Sequence, residues 1–95
     1  MTVSVVSGSF SANGFSDAFT VSHRARMILK GPTFGGGTVH LCVADAGGVY
    51  YRTGRSWTGV AVEIIDSQSI GGAFKLELAG ASGPTLGWEI MARAG

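Results

Sequence analysis

Glycine and turn residues cut this chain into segments too short for helices. Sixteen glycines are spread over 95 residues, and the apolar residues between them alternate with polar ones. No apolar period of 3.6 residues persists for three turns, so strands are the expected elements. The stretch from Gly31 to Trp57 sets the pattern: turn, strand, tight turn, strand, turn. Pro32 lacks an amide donor and is expected to end a strand near Lys30. Gly35, Gly36 and Gly37 open the next turn. In Thr38–Val43, alternation puts Val39, Leu41 and Val43 on one face and Thr38, His40 and Cys42 on the other. Asp45-Ala46-Gly47-Gly48 reads as a turn, because Asp bonds its own backbone and Gly accepts positive φ. Val49–Thr53 returns as a strand, which makes a hairpin.

The same reading extends to both ends. Thr2–Val6 is a first strand, broken by Ser7-Gly8-Ser9. Asn13-Gly14 marks a turn. Phe15–Val21 is a second strand, with Ser16 as an alternative cap of a short helical turn. Ala25–Lys30 is the third, and the central hairpin supplies two more. Thr53-Gly54-Arg55-Ser56 reads as a loop. Val60–Ile64 is expected to turn Val60, Val62 and Ile64 inward. Asp66–Gly72 is polar and Gly-rich. Phe74–Leu78 sends Phe74, Leu76 and Leu78 inward, with Lys75 and Glu77 out. A loop from Ala79 to Pro84 leads to Leu86–Ala92, with Leu86, Trp88 and Ile90 on one face. About eight short strands at regular spacing predict an all-β fold: a small antiparallel β-sandwich, jelly-roll or Greek-key like, forming one domain over residues 1–95. Phe19, Ile28, Leu41, Val62, Leu76 and Trp88 are among the expected core residues.

Charge and cysteine content narrow the function. Charged residues make up 14% of the chain, against about a quarter in ordinary globular proteins. The net charge is +1, and the densest basic spot is only His23-Arg24-Ala25-Arg26, so no nucleic-acid partner is expected. One cysteine excludes an internal disulfide. No apolar run approaches the roughly 18 residues of a membrane span, and no secretory leader is recognisable, so synthesis in a cytoplasm is expected.

Few residues suggest chemistry. The glycine triplet lacks the Gly-Lys-Ser/Thr ending of a phosphate loop. His40 and Cys42 share a strand face, but a structural metal site needs four ligands, and His23 is the one other imidazole. Cys42 lies mid-strand and not at the electropositive helix start that activates a thiol. No spacing among Asp17, Asp45, Glu63, Asp66, Glu77 and Glu89 selects a catalytic carboxylate pair. The expectation is no enzyme, no cofactor and no metal. Tyr50, Tyr51 and Trp57 are more informative, because aromatic side chains anchor protein contacts and also stack on sugar rings. With the His40/Cys42 face, they form the candidate interface.

At Gly31-Pro32-Thr33-Phe34-Gly35-Gly36-Gly37-Thr38-Val39-His40-Leu41 the sequence resembles small structural proteins of tailed-bacteriophage virions. These carry a Phe/Trp-Gly-Gly-Ala-Thr-Val-x-Leu strand, with Gly37 here in place of Ala. Asp45–Tyr51 is similar to their Asp-Gly turn and aromatic strand, with Ala46 interrupting the pair, and Phe74–Leu78 to their late aromatic-x-Leu-x-Leu strand. The resemblance implies a β-sandwich in a capsid decoration or cement role, or in a tail or fibre. It implies location in the virion after synthesis in the host cytoplasm, with the major capsid protein or other virion proteins as partners. The low charge predicts a homo-oligomer that hides such a surface, and the resemblance implies a trimer first of all. The alternative expectation is a carbohydrate- or receptor-binding β-sandwich module that uses exposed Tyr and Trp.

Overall fold

The computed structural model describes residues 2–21, 24–66 and 72–94. Nine strands run through them: β1 (Thr2–Phe10), β2 (Gly14–Phe15), β3 (Phe19–Thr20), β4 (Arg24–Thr33), β5 (Thr38–Ala44), β6 (Tyr50–Trp57), β7 (Ala61–Asp66), β8 (Ala73–Ala79) and β9 (Thr85–Ala94). They form two antiparallel sheets. Sheet one has the order β1-β9-β4-β7. In sheet two, β2 and β3 both pair with one side of β8, which is followed by β5 and β6. The protein is an all-β sandwich, as the alternation predicts. The pairing is nested: the first strand lies against the last, β2 and β3 against β8, β4 against β7, and β5 against β6. A long hairpin rolled up in this way is the connectivity of a jelly roll.

The core lies between the sheets. Leu86, Trp88 and Ile90 of β9 face Phe74, Leu76 and Leu78 of β8 and Val39 and Leu41 of β5, all buried. Phe19 joins the layers: its ring stacks on Phe74 at 6.1 Å and tilts against Trp88 at 6.4 Å. The expected inward faces of the last two strands, and the inward positions of Phe19 and Leu41, therefore hold.

Two faces are reversed. Ile28 and Val62 do not point into the core, and neither do Val60 and Ile64. Trp88 and Ile90 fix the inner face of β9, and β4 pairs Leu29 with Trp88 and Met27 with Ile90. Met27, Leu29 and Ala25 are therefore buried, and Ile28 points outward. Next to β4, the register sets Glu63 against Met27 and Ile65 against Ala25. Ile65 is buried, while Val60, Val62 and Ile64 lie on the outer face, with Val62 62% exposed. The consecutive pair Ile64-Ile65 allows either face, and the neighbouring strand decides between them.

Four expected interruptions are continuous strand or sheet contact. β1 passes through Ser7-Gly8-Ser9, with Gly8 directly opposite Trp88. β4 passes through the cis Gly31-Pro32 bond with a register shift between Lys30 and Pro32, and Pro32 pairs with Leu86. Thr53–Ser56 is part of β6, bulged where His40 pairs with Ser56 and Cys42 with Arg52. Ser16 caps no helix: its N–H donates to the Leu76 carbonyl at 2.8 Å, and its Oγ accepts from the Leu76 N–H at 2.9 Å. Phe15–Val21 is thus two short strands held to β8 on either side of a break. The Asp45 turn forms as expected, with Oδ1 accepting from Gly47 N at 2.8 Å and Val49 N at 2.9 Å. The Asp66–Gly72 loop lies largely outside the described residues.

Candidate functional site

The outer face of sheet two brings together three of the five expected contact residues. His40 and Cys42 point outward from β5, and Tyr50 joins them because β6 pairs it with Ala44 on the same face. Sequence reasoning missed their surroundings. β8 sets Glu77 beside His40 and Lys75 beside Cys42, while β6 sets Arg52 on the other side of Cys42. Arg52 Nε donates to Glu77 Oε1 at 2.8 Å. The Lys75 ammonium lies 4.6 Å from the Tyr50 ring centre and 5.7 Å from that of Phe15, a cation–π arrangement. The alternation of Lys75 and Glu77 was legible in the sequence; the strand beside which each would land was not.

These side chains cover Cys42, which is only 1% exposed although it points away from the core. Burial pushes its thiol up; the Glu77 charge adds to the effect and Arg52 opposes it. The Glu77 hydrogen bond in turn raises Arg52. Cys42 is therefore a covered, protonated thiol directed at the His40 carbonyl, 3.9 Å away. That state is the opposite of an activated nucleophile. Among the described residues, no three His, Cys, Asp or Glu side chains are grouped to hold a metal. His23 lies outside the described residues.

Tyr51 and Trp57 belong to the other face of β6. Tyr51 is opposite Val43 and is 57% exposed. Trp57 is opposite Val39, half-buried, and packs against the core. The β6 bulge directs Arg55 toward sheet one. Its guanidinium lies 5.3 Å from the Trp57 ring centre, donates to the Ile64 carbonyl at 2.9 Å, and pairs with Glu63 at 3.0 Å. Arg55 thus ties the edge strand of one sheet to the edge strand of the other and neutralises a carboxylate on the inward side of β7.

The outer face of sheet one is a second surface that sequence reasoning did not single out. One row across it reads Val5, Met91, Arg26, Ile64, and the next reads Ser7, Glu89, Ile28, Val62. Val5, Val62 and Ile64 are exposed. Lys30 Nζ reaches Glu89 at 3.5 Å, and Arg24 lies 3.7 Å from Asp66. Arg26 Nη2 donates to Met91 Sδ at 3.2 Å. The exposed apolar residues sit on the two edge strands, Val5 on β1 and Val62 and Ile64 on β7. They flank a middle that carries Arg26, Lys30 and Glu89 beside Met91 and Ile28, an arrangement suited to contact more than to catalysis.

No family model, curated protein or solved structure matches the chain.

Proposed function

We propose that the chain is a structural protein of a bacteriophage particle, a capsid decoration or cement subunit that acts as a homo-oligomer on the head lattice. The exposed apolar residues on the outer face of sheet one, Val62 and Ile64 of β7 above all, carry this reading. Large exposed apolar patches mark contact surfaces, and here the patch lies on a chain with few charges to solvate it. Jelly-roll connectivity supports it by analogy of fold alone, since capsid and lectin domains both use this architecture. The Gly31–Leu41 resemblance adds the virion context. Oligomeric binding would raise avidity for a repetitive lattice without stronger individual contacts.

Pelleting recombinant protein with purified heads, and locating it on native particles by cryo-electron microscopy, tests the proposal. Saturable co-sedimentation and ordered density on the lattice are expected. Absence from the particle sinks the reading and moves weight to carbohydrate binding, which a glycan array would then detect. The sugar reading is weaker because Lys75 already lies against both Phe15 and Tyr50, the aromatic pair of the sheet-two face.

A further inference from the structure

We infer that the outer face of sheet one packs against the same face of a second copy, related by a twofold axis in the plane of contact. The inference names the self-association surface within the oligomer proposed above and puts a twofold pairing in place of the expected trimer. Three observations carry it.

The first is the set of apolar residues on this face, which flanks Arg26 and Glu89. Val62 and Ile64 of β7, Ile28 of β4, and Val5 and Met91 toward β1 occupy two adjacent rows. Nothing else in the described chain covers Val5, Val62 or Ile64.

The second is charge complementarity. Arg26 and Glu89 are diagonal neighbours on β4 and β9, one row apart, with opposite signs. In an isologous contact residue i meets j and j meets i. An in-plane twofold between these positions sets Arg26 of each copy over Glu89 of the other. Arg26 now donates to the Met91 thioether, a weak acceptor, so a carboxylate across the face improves its bonding.

The third is the state of the neighbouring edge. Sheets also associate by adding a strand at an open edge. On β7 the Arg55 guanidinium already engages the Ile64 carbonyl at 2.9 Å and the Glu63 carboxylate at 3.0 Å. Edge pairing there would have to displace it; face packing leaves it in place.

The contact is small. Four strands about 4.8 Å apart and some seven residues long present roughly 450 Å² per copy. That sits below the usual ~800 Å² per partner, so the dimer is weak and reversible.

Sedimentation velocity on the full chain, from about 1 to 200 µM, is the test. The expected result is a shift from 9.7 kDa monomer toward twice that mass as concentration rises. Val62→Lys, at an exposed site, should stay monomeric with an unchanged circular dichroism spectrum. Arg26→Glu and Glu89→Arg should each weaken the dimer about 10-fold or more, and the double exchange should recover most of the loss. A monomer at every concentration, a trimer, or a double variant no tighter than the singles overturns the inference. A dimer that fails to bind heads supports the inference and sinks the virion reading. A monomer that binds heads does the reverse.

Discussion

Gly8 stands directly opposite Trp88 on the inner side of β1, and its missing side chain makes room for the indole. A Cβ there would lie 2.8 Å from Trp88 Cζ2. Gly8→Ala should cost about 1–3 kcal/mol, because a buried indole in a packed core has little room to shift. Chemical denaturation followed by Trp fluorescence checks this; unchanged stability would mean that the ring relaxes freely. The Ser-Gly-Ser stretch looks like a break in the sequence because glycine serves turns and tight packing alike, and only the partner strand separates the two uses. Gly35 combines both: its φ is 61°, and a Cβ on it would stand 2.5 Å from the Ser82 carbonyl oxygen. Cys42 makes the second residue-scale prediction. Burial raises its folded pKa, so the folded chain keeps the proton where an unfolded thiol, titrating near 8.5, has lost it. The stabilisation from the neutral thiol is complete below about pH 8.5 and declines as pH climbs toward the folded value. Cys42→Ala should flatten that part of the alkaline decline in melting temperature. An identical slope in both proteins would show that other groups account for it.

At the scale of elements, β7 is the strand on which alternation misleads. Val60, Val62 and Ile64 make a clean apolar set, and Glu63 between them looks like a solvent-facing residue. Two things outside β7 reverse it: Ile65 has a place beside Ala25, and Arg55 supplies the charge that lets Glu63 face inward. Ile65→Ala should therefore cost about 2–5 kcal/mol by leaving a cavity. Val62→Ala should cost less than about 1 kcal/mol. Thermal denaturation of the pair decides between the two faces, and the opposite ranking would restore the inward Val62. The strands at Thr38–Val43, Phe74–Leu78 and Leu86–Ala92 were legible because their alternation has no competing phase. The contact residues were legible only in part. His40 and Cys42 share a face as their parity requires and Tyr50 joins them through its register with Ala44, but the two-residue bulge of β6 sends Arg55 to the other sheet. A bulge leaves little trace in sequence beyond a glycine such as Gly54, with its φ of 95°.

For the whole molecule, the nested pairing makes nearly every stabilising contact long-range. Among the described strands, only β5 and β6 pair as immediate neighbours along the chain. Topologies of this kind fold on the millisecond-to-second scale, because loop closure comes before any compensating contact. Stopped-flow refolding, with buried Trp88 as the reporter, should give a main phase in that range; a microsecond phase carrying the full amplitude would contradict the pairing. The position of β9 has a consequence for the cell that makes the protein. β9 is translated after the other eight strands, yet it lies between β1 and β4 in the middle of sheet one. At roughly 5–20 residues per second, β1 waits on the order of 4–16 s for the strand that covers it. A nascent chain still short of Thr85 can pair β4 with β7 but leaves β1 without its partner, with open edges and no closed core. Synthesis of β9 is then the step that joins β1 to the β4–β7 pair and completes sheet one, and a chain that stops short of Thr85 leaves that sheet split.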